Sequence, residues 1–295
     1  MSSQAGSFYL VYRFNHATDG ETAIPCAGFS YGGGGGYINV ANAPASGEWI
    51  WYDANGDGNP ESNEYTQPPN ATYIDEQWWW TDSKGDVWEA RGEGPPIGHY
   101  ICQGLDTHGI PKYDWQHFSA LAAPPGFSGI DKIIYLPASD TMYLMGNSLS
   151  RIACYTNWSA GNRAATWSVA IPSDPSTANP QASGMAVAGH YVFVIYYVPH
   201  QVLIYNVADG SSAGTIIPGP AVGGQSAVGN VDQPMCINAY QRTNGEPLIF
   251  SEVDFQAKVL MYRWNPAAPV VLATPGNGEV VLSWSAAPGA LRART

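Results

Sequence analysis

Charged side chains are scarce in this sequence: Asp, Glu, Lys and Arg make up 12% of its 295 residues, about half the share of an average soluble domain. Basic residues are the scarcer kind, 12 Lys and Arg against 24 Asp and Glu, for a formal net charge of −12. That excludes a nucleic-acid partner, because phosphate binding needs a concentrated Lys/Arg surface, and it disfavours an anionic membrane surface. No stretch approaches 18 consecutive apolar residues, so neither a transmembrane helix nor membrane insertion is expected. The first residues hold no basic segment followed by an apolar one, so no signal peptide is visible. The composition, poor in Lys and rich in Trp, Tyr, Gly and Asn, is nonetheless that of secreted proteins. The expectation is an extracellular chain, present here as a mature form or as a piece of a longer protein.

Cysteine is sparse too. Cys26, Cys102, Cys154 and Cys236 lie too far apart for a zinc knuckle or a redox CxxC motif. They allow three disulfide pairings between which the sequence does not choose, and buried free thiols are an equal alternative. Asn70-Ala-Thr72 and Asn157-Trp-Ser159 have the form of glycosylation sequons. No GxSxG, Walker, GxGxxG or HExxH pattern is found. The run Gly32–Gly36 lacks the Lys-Ser/Thr that would make it a phosphate cradle and reads as a loop tip.

Helical periodicity is missing as well: no window shows a sustained i, i+3, i+4, i+7 apolar face. In its place are short runs of β-branched and aromatic residues bounded by Gly, Pro, Asn and Asp. The clearest strands are expected at Ile130–Tyr135, Thr141–Met145, Arg151–Tyr155, Met185–Ala188, Tyr191–Tyr197, Gln201–Asn206, Leu248–Val253 and Lys258–Trp264. Their order repeats every ~45–55 residues as four-strand units. A turn of similar make-up follows the third strand of each unit, as at Asp106-Thr-His-Gly109, Trp158-Ser-Ala-Gly161 and Ala208-Asp-Gly210. Four strands per unit at this spacing define an all-β fold, a β-propeller of five or six four-stranded blades over residues 1–266. Sheets that bury both faces against neighbouring blades explain why the strands do not alternate cleanly.

Residues 267–295 differ. Pro269, Leu272, Pro275, Gly278, Val280, Leu282, Trp284 and Pro288 give this segment a pattern that resembles the first two strands of a fibronectin type III domain. A whole sandwich needs about 100 residues, so the resemblance implies an incomplete module and, beside a propeller, an extracellular bacterial protein.

The most specific motif is Asp53-Ala-Asn55-Gly-Asp57-Gly58-Asn59-Pro-Glu61-Ser-Asn-Glu64, which fits D-x-[DN]-x-[DN]-G-x5-E. Calcium takes six to eight oxygens at about 2.4 Å. The pattern supplies side-chain oxygens from Asp53, Asn55 and Asp57, a sharp turn at Gly58 and the carbonyl of Asn59. Glu61 adds a ligand directly or through water, and Glu64 closes the site. The loop resembles an EF-hand or dockerin calcium loop, although Trp49-Ile-Trp-Tyr52 before it reads as a strand. The implied cofactor is Ca2+, stabilising an insertion.

Trp78-Trp79-Trp80 would place Trp78 and Trp80 on one strand face and Trp79 on the other. The paired face is a candidate platform for sugar rings; blade-to-blade packing is the other use of such rings. Thr81-Asp-Ser-Lys-Gly85-Asp-Val-Trp88 resembles the Asp-box turn of sialidase-type propellers, with Ser83 where that motif has aspartate. Glycoside hydrolysis needs two carboxylates ~5–10 Å apart. Asp75, Glu76, Glu89, Asp114, Glu252 and Asp254 are the candidates, with His99 and His117 near strand ends. The reading from sequence is a secreted, calcium-stabilised binding or scaffold module for glycan or a cell-surface polymer. The alternatives are a polysaccharide hydrolase or lyase acting at the propeller mouth and a surface-layer or filament component.

Overall fold

Turn residues and short apolar runs set out twenty-one strands among the described residues of the computed structural model. The structure describes residues 8–31, 40–69, 76–92, 94–146, 150–172, 182–196, 201–220, 237–253, 258–265, 271–275 and 280–284. The first sheet holds β1 (Phe8–Arg13), β2 (Ile24–Tyr31), β3 (Glu48–Tyr52) and β4 (Tyr65–Thr66). The second holds β5 (Glu76–Thr81), β6 (Val87–Arg91), β7 (Ile97–Tyr100) and β8 (Phe118–Leu121). The third runs β9 (Ile130–Leu136), β10 (Thr141–Gly146), β11 (Arg151–Thr156) and β12 (Trp167–Ala170). The fourth runs β13 (Ala182–Ala188), β14 (Tyr191–Tyr196), β15 (Gln201–Asn206) and β16 (Ser212–Ile216). A three-stranded sheet follows, of β17 (Ile237–Gln241), β18 (Pro247–Val253) and β19 (Lys258–Arg263), and then a hairpin of β20 (Val271–Pro275) and β21 (Val280–Trp284). In every sheet the strands are antiparallel and lie side by side in chain order. This all-β, sheet-by-sheet meander is a β-propeller.

The central strands are buried on both faces, as in β6 and β10, where every residue is buried. The reason is the seams between blades. Ala27, Phe29, Trp79 and Tyr100 fill the seam of blades 1 and 2, while Trp88, Ile133, Tyr135 and Leu144 fill that of blades 2 and 3. Ile134, Tyr143, Val194 and Trp167 lie between blades 3 and 4, and Phe193, Ile204 and Ile249 between blades 4 and 5. Each such side chain contributes roughly 1.5–3 kcal/mol by leaving water. Because side chains alternate along a strand, Val87, Glu89 and Arg91 face blade 1 while Trp88 and Ala90 face blade 3.

Cys26, Cys102 and Cys154 are free thiols. Cys236, the Gly32–Gly36 run and Asn70-Ala-Thr72 lie outside the described residues. Among the described residues no helix is long and apolar enough to cross a membrane.

Candidate functional site

The oxygen-rich loop joins β3 to β4 and folds on its own Asp and Asn side chains. Asp53, 0% exposed, accepts the amides of Gly56 and Asp57 on Oδ1 and that of Gly58 on Oδ2, at 2.9–3.1 Å. Asn55 Oδ1 accepts the amide of Asp57, and Asp57 Oδ1 that of Asn59. Gly58 stands at φ +78°, the left-handed turn that the sequence pattern requires. Glu61 and Glu64 cap a 3-10 turn at Ser62–Glu64 reciprocally. Glu64 also takes hydrogen bonds from the Trp51 indole and the Ala54 amide. These donors outweigh burial and hold Glu64 below the usual carboxylate range, while hydrogen bonding to Glu64 pushes Glu61 up.

Glu61 Oε2 is buried without a hydrogen-bond partner. Among the described residues no three His, Cys, Asp or Glu side chains gather closely enough to form a metal cage by themselves. The loop pattern, however, also counts Asn55 and the carbonyl of Asn59. The donor set matches calcium in kind and in order along the chain, while its acidic side chains are not gathered around one point in this conformation.

The aromatic platform takes a different course. Trp78 and Trp80 do share a face and Trp79 takes the other, but all three pack on protein. Trp79 lies against Tyr9 and Phe29. Trp80 donates its indole N–H to the carbonyl of Tyr135 at 3.3 Å. Trp78 lies beneath the buried Lys132 ammonium, 3.4 Å from its ring centre. The turn after β5 is built by Asp82 in place of the Asp-box position at Ser83. Asp82 accepts the amides of Lys84 and Asp86 and the Trp88 indole N–H. His99 stacks on Trp88 at 3.7 Å and bonds Asp86, and Asp114 caps a short turn that includes His117. Both histidines are thus held as structural side chains. Asp75 and Asp254 lie outside the described residues, as do the side chains of Glu76 and Glu252.

Of the two candidate acids whose side chains are described, Glu89 and Asp114, Glu89 enters the chemically unusual setting. It is 0% exposed, at the seam of blades 1 and 2, with Arg91 (4%) and Glu48 (6%) beside it. Arg91 donates from Nη2 to Glu48 Oε1 at 2.5 Å, and its Nε lies 3.7 Å from Glu89 Oε2. Tyr100 donates its hydroxyl to Glu89 Oε2 at 3.2 Å. Glu89 Oε1 and Arg91 Nε have no hydrogen-bond partner. Burial raises the Glu89 carboxyl to about 8 against the pull of Arg91, and burial raises Glu48 as well. Gly98 makes the room: a Cβ there would stand 2.7 Å from Glu89 Oε2. The result is a buried carboxyl whose ionisation is disfavoured, beside a fixed guanidinium, a kind of setting that also occurs at acid–base sites. The sequence reading missed Glu48, Arg91 and Lys132. The available signal was Glu89 and Arg91 standing two apart on one face of an otherwise apolar strand.

No family model matches the chain, and no curated protein matches it in sequence. Among solved structures it is similar to a candidate 6-phosphogluconolactonase from Bacteroides fragilis, with 13% identity and a TM-score of 0.46 over 88% of this chain and 81% of that one. A periplasmic gluconolactonase from Pseudomonas aeruginosa gives 12%, 0.44, 88% and 78%. A catalytically inactive virginiamycin B lyase from Staphylococcus aureus, with quinupristin, gives 16%, 0.39, 89% and 77%. At these identities and TM-scores the likenesses assign this chain no substrate. The expectation of a calcium-stabilised binding or scaffold module is nonetheless corrected. The aromatic platform on which it rested is consumed by packing between blades.

Proposed function

We propose that this propeller is a hydrolase opening a small cyclic ester, with Glu89 as acid–base group and Arg91 as the cation facing the developing oxyanion. Lactone opening is the reaction named for two of the similar propellers, but the likeness lends it no weight. The observation that carries the reading is the buried Glu89 carboxyl, raised to about 8, in an ion pair with Arg91 at 3.7 Å while Glu89 Oε1 and Arg91 Nε make no hydrogen bond. In its ionised form Glu89 takes a proton from water as the water oxygen bonds to the ester carbonyl carbon. Arg91, steadied by Glu48, faces the oxyanion. The ring C–O bond then breaks and Glu89 returns the proton to the leaving alkoxide, giving the hydroxy acid. Glu89 is closed off in this conformation, so turnover requires the seam of blades 1 and 2 to part.

The test uses glucono-δ-lactone and 6-phosphogluconolactone in a pH-stat. The wild type is expected to open one of them with a rate rising towards pH 8, and Glu89→Gln to lose about 100-fold or more in kcat while keeping its circular dichroism. No opening above the buffer rate, or an unchanged rate in the variant, sinks the reading.

Calcium at the β3–β4 loop is part of the same proposal. Asp53, Asn55, Asp57, Asn59, Glu61 and Glu64 would hold it, and it would neutralise four crowded acids. At a free concentration a hundredfold above Kd such an ion stabilises by about 2.7 kcal/mol. Chelation is therefore expected to lower Tm in the wild type and to leave Asp53→Asn unmoved; equal curves with and without chelator would remove calcium from the account. We place the protein outside the cytoplasm, on its secreted-type composition, and read residues 267–295 as the opening of a fibronectin type III module. The antiparallel hairpin of β20 and β21 supports that reading.

A further inference from the structure

A cavity of about 380 Å³ opens at the seam of blades 3 and 4, at the end of the sheets where β9 turns into β10. Its position follows from the sequence. In blade 2 the cross-strand row facing blade 3 is Trp80, Trp88 and His99, three rings that fill the wedge. In blade 3 the rows facing blade 4 are Ile134, Tyr143 and Cys154, and then Leu136, Thr141 and Thr156. The first row continues into Trp167, which closes the seam with Tyr143; the second row has no ring, and the wedge stays open there.

The lining has two characters. Leu136, Val187 and Val207 give it apolar walls. Hydroxyls gather at one side, with Thr156 Oγ1 2.9 Å from Thr166 Oγ1 and Thr141 Oγ1 donating to the carbonyl of Ser139. None of the lining side chains is charged. The nearest acids are engaged elsewhere: Asp140 accepts from Tyr135 and Ser159, and Asp209 from Ser211. A carboxylate, phosphate or ammonium would find no counter-ion among these lining side chains.

We propose that this cavity is a binding site for a small neutral molecule with an apolar ring system and a hydroxyl group. The volume lies in the usual size range of ligand pockets and has room for a two-ring compound. An occupant would restore the packing that the small residues of blade 3 forgo. The site is independent of the chemistry at the seam of blades 1 and 2.

The probe is 2-naphthol, compared with 2-naphthoate, which has the same rings but a negative charge. Trp167 packs on Tyr143 at the seam and donates to the carbonyl of Val207 at 2.7 Å, so its fluorescence reports occupancy, with Trp167→Phe as the control. Calorimetry should show saturable one-to-one binding of 2-naphthol and at least about tenfold weaker binding of 2-naphthoate. Ala208 and Thr166 are exposed lining residues. Ala208→Leu should weaken binding about tenfold or more by occupying the opening. If that variant also lowers Tm, Thr166→Leu is used in its place and should act in the same way. Absence of saturable binding, equal affinity for the two probes, or indifference to the leucine substitution would overturn the proposal.

Discussion

Arg91→Met is expected to cost about 3–5 kcal/mol of folding stability and to lower Tm by on the order of 10 °C. The guanidinium sits at 4% exposure between two carboxyls at 6% and 0%. Methionine would replace its stem but leave Glu48 buried without the partner now at 2.5 Å and Glu89 without a cation. An uncompensated buried charge is what makes removal of one member so damaging, far more than the net worth of the pair. The loss should therefore shrink in the double variant Glu48→Gln, Arg91→Met, which removes the stranded charge together with its partner. It should also shrink as pH falls and Glu48 takes up a proton, since burial already raises that group. Thermal unfolding of the wild type, both single variants and the double variant gives the cycle. A Tm for Arg91→Met within about 2 °C of wild type, less than the effect of one kcal/mol in a domain of this size, would show that water reaches the cluster and solvates the carboxylates.

The fold could be read from local features because a propeller is local in sequence. Each blade is a meander of neighbouring strands, so Thr141–Met145 and Arg151–Tyr155 announce themselves by their own residues and find their partners a few positions away. The alternation of Trp78, Trp79 and Trp80 was legible for the same reason. What those rings touch was not: Tyr135 and Lys132 come from the next blade, more than fifty residues on, and no periodicity encodes a seam. The Asp82 turn shows how a local motif can slip by one residue. Asp82 and Ser83 can both bond the amides that follow, and the choice falls to the aspartate whose second oxygen also reaches the Trp88 indole. The turn at Asp53–Gly58 was legible as well, since its hydrogen bonds lie within a few consecutive residues. The Glu48–Arg91–Glu89 cluster was not, because Glu48 and Arg91 stand 43 residues apart and meet only when blades 1 and 2 close.

That cluster also sets a pH dependence of unusual sign. A carboxyl held by a salt bridge normally has a depressed pKa and loses its contribution as pH falls. Glu89 does the opposite, with its folded value raised to about 8 from an ordinary 4.5. Below pH 4.5 the folded and unfolded chains both carry the proton, and Glu89 imposes no penalty. Between 4.5 and 8 the folded chain keeps the proton that the unfolded chain has released. Stability then declines with rising pH by up to about 1.4 kcal/mol per unit for this one group. Above 8 both forms are ionised and the loss is complete. Glu89→Gln keeps the shape and an acceptor for the Tyr100 hydroxyl while removing the titration. The variant should therefore melt above wild type at pH 8, by an amount worth several kcal/mol, with the difference vanishing towards pH 4.5. A difference in Tm that stays constant from pH 5 to pH 8 would mean that Glu89 does not hold its proton in the folded chain. The proposed acid–base chemistry would fall with it, because a carboxylate already ionised at pH 5 gives no rate that climbs towards pH 8. If the two profiles move together, the cost in stability and the gain in rate come from one proton on one oxygen pair, and the buried charge at the seam of blades 1 and 2 is kept for reaction at the expense of folding.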